Sequence, residues 1–252
     1  MKWILLPGFD GTGILFAAFV RALPSGIEPV VVAYPADRAC SADELVEIVL
    51  ADLPENEPYV VVAESFSGPI AIKAAARMRR PPLAVVLCAS FVQCPVPRIL
   101  AAILRFLGSA VTLTRILRWL VRWYLLGDAE EEVVALFYRA LEEVSPRVLT
   151  HRLSVLLEFD ENIAPATLKC PLLYVRATKD RLVGARNFSI VQRRYPEVKL
   201  ERIESPHLIL QAQSEASVRT ILLFLAGLQP QAIEPPKNSF PRAGGSWFSG
   251  AT

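Results

Sequence analysis

The chain has 252 residues, of which 53% are hydrophobic and 21% are charged. This apolar content excludes a disordered protein, and the length is enough for one α/β domain with a full core. The formal net charge of +2 argues neither for nor against a polyanionic partner, and we predict no nucleic-acid partner.

The first six residues form an apolar run that resembles the start of a signal peptide. The loop sequence Pro7-Gly8-Phe9-Asp10-Gly11 interrupts the run before it reaches the length of an h-region. Arginines interrupt the longest apolar stretches elsewhere in the chain. We therefore predict no membrane-spanning helix and a cytoplasmic location.

Short apolar runs alternate with helical patterns through most of the chain. We predict strands over residues 2–6, 29–34, 59–63, 83–89, 171–177 and 198–203, and helices near 13–23, 41–52, 67–79, 185–195 and 208–227. Several runs are apolar throughout, as in strands that are covered on both faces. This alternation predicts an α/β fold with a mostly parallel sheet of about six strands and helices on both faces.

Residues 91–170 break the alternation, because their pattern is helical only. We interpret them as a cap of about four helices, with Gly127 as a helix end, Asp128 as a helix N-cap, and Ser145-Pro146 as another helix start. The α/β core is predicted over 1–90 and 171–228. Residues 229–252 are rich in proline, glycine and serine and are predicted to be a disordered tail.

The four cysteines, Cys40, Cys88, Cys94 and Cys170, are widely spaced. They form no CxxC motif and no Cys/His spacing of a metal site. We predict buried reduced thiols, and neither a metal nor a cofactor.

The third predicted strand leads into Ser65 and then into a helix. Small residues, Ala63 and Ser67, flank Ser65 at positions −2 and +2. A serine on a tight strand-to-helix turn has strained backbone angles, and bulky neighbours there would collide with the helix or the adjoining strand. This steric demand underlies the G-x-S-x-G pattern, and Ala63 and Ser67 satisfy it without glycine.

A nucleophilic serine needs donors for the oxyanion that forms when it attacks an acyl carbonyl. The N–H of Phe66 lies at the start of the helix after Ser65, where amides point outward. A second donor is expected from the glycine-rich loop after the first strand, and Phe9 is the candidate. The alternative, a phosphate-binding loop, lacks both G-x-G-x-x-G and the lysine of a Walker motif.

A serine hydroxyl also needs a base, and the chain has two histidines. His207 follows the last predicted strand and is our candidate, whereas His151 is interpreted as an exposed residue of the helical insertion. Asp180 follows the fifth predicted strand and is the candidate for the acid that orients the imidazole, with Glu204 as its rival. The order Ser65, Asp180, His207 is the one found in α/β-hydrolases.

These motifs resemble the α/β-hydrolase superfamily over about residues 2–227. The chain is most similar to small esterases with a helical cap, such as pimeloyl-carrier-protein methyl esterases. The resemblance implies that Ser65 is the nucleophile and that Asp180 and His207 are its acid and base. It also implies that Phe9 and Phe66 form the oxyanion hole.

The chain departs from the family pattern in three ways. It lacks the first two strands of the full fold, which are often antiparallel. Pro7 replaces a histidine before the oxyanion loop, and Glu64 replaces the common histidine or glutamine before the nucleophile. The segment 64–68 is also similar to elbows of plant plastid enzymes that move acyl chains between lipids.

We therefore expect a serine hydrolase that cleaves a carboxylic ester, with an apolar or medium-chain acyl group, through an acyl-serine intermediate. Thioester hydrolysis and acyl transfer remain open, because both use the same intermediate. A binding protein that has the fold without the activity is a further alternative.

The first part of the predicted cap, residues 91–127, contains five arginines and no acidic residue. Arg115, Arg118 and Arg122 fall on one face of a predicted helix, and Leu113, Ile116, Leu117, Leu120 and Tyr124 form an apolar stripe on another. One interpretation is a cap helix packed on the core with a solvated arginine edge. The other is a basic rim suited to an acidic carrier protein, an anionic acyl group or a lipid surface.

Overall fold

The computed structural model of the chain describes residues 1–95, 121–159 and 168–228. Its six strands are β1 (Lys2–Leu6), β2 (Glu28–Val31), β3 (Tyr59–Glu64), β4 (Ala84–Cys88), β5 (Leu172–Ala177) and β6 (Lys199–Ile203). They form one sheet in the order β2-β1-β3-β4-β5-β6, and every neighbouring pair is parallel. The prediction of a mostly parallel sheet of about six strands is confirmed.

β2 is shorter than the run predicted for it. The N–H of Val32 still donates to the carbonyl of Leu5 at 3.0 Å, but the N–H of Tyr34 donates to Gly11 at 2.8 Å. Gly11 belongs to the loop after β1. The chain therefore leaves the sheet after Val31, because the N–H of Tyr34 binds that loop instead of a strand.

The helices of the core follow the strands. They are α1 (Ala17–Arg21), α2 (Ala42–Ala51), α3 (Ser67–Arg77), α6 (Ala185–Arg194), α7 (Ile209–Ala212) and α8 (Ser214–Leu228). The predicted helix 13–23 is a 3₁₀ turn over Ile14–Phe16 followed by the short α1. The predicted helix 208–227 is interrupted at Gln213 and forms α7 and α8.

The sheet separates two hydrophobic cores, because successive side chains of a strand point to opposite faces. Val61 in β3 packs with Leu45 of α2 and Ile70 of α3 in one core. Its neighbour Val62 lies in the other core, which includes Ile221 of α8. All six residues of β3 are buried, as expected for a central strand that is covered on both faces.

The described part of the insertion contains three helical segments. A π-helical segment (Arg122–Leu126) is followed by α4 (Glu131–Glu142) and α5 (Pro146–Glu158). Gly127, at a φ of 52°, ends the first segment as predicted, and Ser145 with Pro146 begins α5. The proposed arginine face and apolar stripe at 113–120, and the tail 229–252, lie outside the described residues.

The prediction that Asp128 caps a helix is wrong. The N-cap of α4 is Glu130, and the carboxylate of Asp128 binds the ammonium of Lys179 at 2.9 Å. Lys179 lies in the loop after β5, so the aspartate joins the insertion to the core.

No helix among the described residues is both long enough and apolar enough to cross a bilayer.

Candidate active site

Ser65 lies on the sharp turn between β3 and α3. Its φ is +46°, a strained value for a residue with a side chain. Its N–H donates to Cys88 at 3.0 Å, which ties the turn to β4. Ala63 and Ser67 are both fully buried. Small side chains at −2 and +2 are therefore required by the packing, as the sequence indicated.

The structure brings the three predicted side chains together. The Nε2 atom of His207 lies 2.8 Å from the Oγ atom of Ser65, and its Nδ1 atom lies 2.7 Å from Oδ2 of Asp180. Each of the three residues follows the carboxyl end of a parallel strand, where neighbouring loops meet. The loops after β5 and β6 are also joined by their backbones, since the N–H of Lys179 donates to the carbonyl of Ser205 at 3.0 Å.

Asp180 is held in place by more than the imidazole. Its Oδ1 atom accepts hydrogen bonds from the N–H groups of Leu182 at 2.8 Å and Val183 at 2.9 Å. The carboxylate therefore has one oxygen committed to the backbone and the other to His207. With a side chain only 1% exposed, it meets little competition from water for the imidazole.

The pKa of His207 results from two opposed effects. Burial alone lowers the pKa of the imidazole, but the charge and hydrogen bond of Asp180, together with the charge of Glu64, outweigh it and raise that pKa above its ordinary value. The arrangement thus favours the imidazolium that forms when the ring takes a proton from Ser65.

The two rival residues are not part of this arrangement. Glu204 is exposed and pairs with Lys179 at 3.0 Å. His151 lies in α5, as a helical residue should, but it is half-buried rather than exposed.

The loop after β1 was predicted to supply one donor of an oxyanion hole. Within the described residues, no protein acceptor takes up the N–H of Phe9 or that of Phe66. The two aromatic rings meet edge to face, with their centroids 5.9 Å apart. Gly11 and Gly13 adopt φ values of +71° and +75°, which only glycine adopts at little cost.

Glu64 is a buried acid whose sequence position shows only a departure from the family pattern. It is 1% exposed, and its Oε2 atom accepts a hydrogen bond from Nε2 of Gln211 at 3.1 Å. Burial raises its pKa to about 7, against the opposing effects of Gln211 and His207. Its position directly before Ser65 places a titratable group beside the nucleophile.

Arg152 is a buried charged residue near the site that was not among the residues predicted from the sequence. It is 3% exposed, and its guanidinium reaches the loop after β1 from α5. The residues around it on that helix, Val148, Val155 and Leu156, are buried and apolar. An arginine at that helical spacing within an apolar stripe was the signal that could have revealed it.

A serine hydroxyl bonded to an imidazole that a carboxylate orients is the arrangement that makes serine a nucleophile. Within the described residues, no three His, Cys, Asp or Glu side chains form a group that could hold a metal ion.

The sequence matches no protein-family model and no curated protein. Solved structures of similar fold include a hydrolase from Oleispira antarctica, with a TM-score of 0.76 and 14% identity over 89% of this chain and 90% of that one. A thermophilic esterase from Thermogutta terrifontis has a TM-score of 0.76 and 16% identity over 90% of each chain. MenH from S. aureus has a TM-score of 0.71 and 14% identity over 91% of this chain and 94% of its own.

At these identities the similarity establishes the fold. The chain has the α/β-hydrolase fold, as its motifs indicated, and its structural neighbours include hydrolases and esterases.

Proposed function

We propose that this chain is a serine hydrolase that cleaves a carboxylic ester through an acyl-Ser65 intermediate. The observation that carries the proposal is the continuous row of hydrogen bonds from Ser65 through His207 to Asp180, at 2.8 and 2.7 Å. The names of the structural neighbours, a hydrolase and an esterase, agree with this reaction class.

The mechanism follows from this geometry. Nε2 of His207 takes the proton from Ser65 as Oγ attacks the acyl carbonyl, and the N–H groups of Phe9 and Phe66 bind the resulting oxyanion. The imidazolium then gives its proton to the departing alcohol, which leaves the acyl group on Ser65. Water attacks this acyl-enzyme in the same way, and the acid is released.

An apolar acyl group fits the surroundings of the nucleophile. The ring of Phe66 contacts those of Phe9 and Phe159, at centroid distances of 5.9 and 6.1 Å. Phe66 and Phe159 are buried in the core, and the half-buried Phe9 is the ring of this group that a ligand can reach. We propose a medium-length alkyl chain as the acyl group.

The test compares the parent with two histidine variants and one serine variant. We expect Ser65→Ala and His207→Ala to hydrolyse p-nitrophenyl esters at least about 10³-fold more slowly than the parent, and Ser65→Ala to resist a fluorophosphonate probe. His151→Ala is the matched control, because it removes the other histidine and should retain activity. A Ser65→Ala variant as active as the parent would falsify the assignment.

The same assay separates hydrolysis from its alternatives. Esters and thioesters of increasing chain length reveal the preferred leaving group, and an added alcohol reveals transfer if an ester forms instead of free acid. Fluorophosphonate labelling of the parent without any turnover would favour another substrate class, whereas no labelling would favour a binding protein.

A partner at the cap stays a proposal. Arg122, the described member of the arginine face, donates to the carbonyl of Ala129 at 3.1 Å and pairs with Glu131 at 3.0 Å. The charge of Arg122 is thus partly neutralised within the insertion by Glu131. If an acidic carrier protein or a lipid surface docks there, activity on carrier-attached acyl groups or on vesicles with anionic lipids should fall with rising salt.

A further inference from the structure

Arg152 is a buried cation whose hydrogen bonds, among the described residues, go to backbone carbonyls. Nη1 donates to Phe9 at 3.0 Å and also to Asp10, and Nη2 donates to Pro35 at 3.0 Å. The arginine belongs to α5, more than 140 positions along the chain from the loop it reaches. A buried guanidinium is costly unless its donors are satisfied, and these carbonyls supply acceptors for its planar fork of N–H groups.

The guanidinium also occupies space that the loop leaves open. A Cβ atom at Gly11 would lie 2.5 Å from Nη1 and 2.7 Å from Cζ of Arg152. Gly11 therefore combines a positive φ with a place for the guanidinium. The loop and the arginine are shaped to each other.

These contacts fix the two peptide planes on either side of Phe9. The plane that carries the N–H of Phe9 also carries the carbonyl of Gly8, which accepts from Gly11 at 3.1 Å. The next plane carries the carbonyl of Phe9, which accepts from Arg152 at 3.0 Å. The direction of the Phe9 N–H is set by both bonds, and only the second comes from a side chain.

We propose that Arg152 is a positioning residue that holds the N–H of Phe9 in the direction needed to bind an oxyanion. The inference rests on the proposed function. Through Arg152, a helix of the insertion would help to orient an N–H group that stabilises the oxyanion. Arg152 itself touches no reacting atom.

The predicted consequence is a defect confined to the transition state. Charge develops on the acyl oxygen only as Ser65 attacks, so a misdirected N–H weakens the transition state and leaves ground-state binding nearly unchanged. Loss of one oxyanion donor lowers kcat by about 10²–10³-fold. We expect Arg152→Met to lower kcat by about 10²-fold with little change in KM.

The experiment compares Arg152→Met, Arg152→Lys and Arg147→Met. Arg147 is an exposed residue of the same helix, and its substitution removes the same charge without touching the loop. Each variant is measured for kcat and KM on one p-nitrophenyl ester and for thermal unfolding. Inhibition is measured with an alkyl trifluoromethyl ketone, which forms an anionic tetrahedral adduct with serine, and with the matching methyl ketone.

For Arg152→Met we expect kcat/KM and trifluoromethyl ketone affinity to fall by the same factor, while methyl ketone affinity is retained. Arg152→Lys should show a smaller loss, because an ammonium can bind some of the carbonyls, and Arg147→Met should match the parent. A folded Arg152→Met with the parent's kcat and inhibitor affinity overturns the inference.

If Arg152→Met does not fold, Arg152→Lys decides, and parental kcat with parental trifluoromethyl ketone affinity in that variant overturns the inference. A parent that neither hydrolyses esters nor reacts with a fluorophosphonate would instead remove the proposed function itself. The two failures are therefore distinguishable.

Discussion

Ser67 stands two residues after Ser65, where the usual elbow motif has glycine, and its hydroxyl links the elbow to the oxyanion loop. It donates to the carbonyl of Pro7 and lies 2.7 Å from the hydroxyl of Tyr34. Burial raises the pKa of Tyr34, which keeps its hydroxyl protonated as a donor to Ser67. The serine thus adds a connection that a glycine could not make.

Removing that hydroxyl should cost stability. Ser67→Ala leaves a buried tyrosine hydroxyl and the Pro7 carbonyl without their partner, which costs about 1–3 kcal/mol of the free energy of unfolding. Denaturant titration measures this loss. The double variant Ser67→Ala/Tyr34→Phe should lose less than the sum of the single variants, because one unpaired group disappears. Equal stability of Ser67→Ala and the parent would contradict the bridging role.

Glu64 should make stability depend on pH. Burial raises its pKa to about 7 in the folded chain, compared with about 4.3 in an unfolded one. Its contribution to stability is therefore fully present below pH about 4.3 and is lost as pH rises through about 7. Glu64→Gln removes this loss and keeps an acceptor for Gln211.

We expect the stability of Glu64→Gln relative to the parent to increase by about 2 kcal/mol between pH 5 and pH 8. The same substitution at the exposed Glu55 is the control and should show no such trend. Chemical denaturation at several pH values provides the measurement. A difference between Glu64→Gln and the parent that is the same at pH 5 and pH 8 would mean that Glu64 does not titrate as a buried acid.

Site residues whose positions follow from the order of the strands could be predicted from the sequence. Residues whose contacts depend on tertiary packing could not. Ser65, Asp180 and His207 each follow a recognisable strand, so topology alone brings them to one edge of the sheet. Arg152 binds carbonyls whose position depends on how the insertion packs on the core. A local pattern indicates that its helix face is buried but not what the guanidinium meets.

At the scale of elements, α3 begins in very tight contact with the loop after β4. A Cβ atom at Gly68 would overlap the hydroxyl of Ser90 and lie 2.7 Å from the carbonyl of Phe91. That hydroxyl donates to the carbonyl of Ser65 at 2.6 Å, so it has little freedom to move. The glycine allows the helix to approach the loop that supports the nucleophile.

Gly68→Ala should therefore be strongly destabilising. Overpacking a rigid site costs about 1–3 kcal/mol or more, and we expect the upper part of this range because a backbone atom is among those hit. Gly227→Ala is the matched control, since it also adds a methyl group to a helix but has nothing within 4 Å of the new Cβ. Thermal unfolding should show a lowered Tm for the first variant only. A Gly68→Ala protein as stable as the control would show that the loop yields easily.

Elements with strong local signals were predicted well, and their ends less so. α2 begins at a capping box in which Ser41 and Glu44 bind each other's backbone N–H, and the predicted boundary there was right to within a residue. The start of α4 was misplaced because Asp128 looks like a cap but binds Lys179 in the core. An ion pair between distant segments cannot be recognised from the local sequence around either partner.

For the whole molecule, the two largest hydrophobic clusters of the described residues lie on opposite faces of the sheet and share no members. Ile70 of α3 lies in the core shared with α2, and Ile221 of α8 lies in the core on the other face. Both side chains are fully buried. Since neither core includes residues of the other, a small cavity in one should not be felt in the other.

Substitutions in the two cores should therefore act independently. Ile70→Val and Ile221→Val each remove one buried methyl group and should each cost about 0.5–1.5 kcal/mol. In the double variant we expect the sum of the two losses, with an interaction energy below about 0.5 kcal/mol, because the sites share no partners.

Phe16→Leu with Phe19→Leu is the contrasting pair, since these rings lie 6.4 Å apart in one core and should be coupled. Denaturant titration of the seven proteins completes both cycles, and strong coupling between Ile70 and Ile221 would mean that the sheet transmits packing changes between its faces.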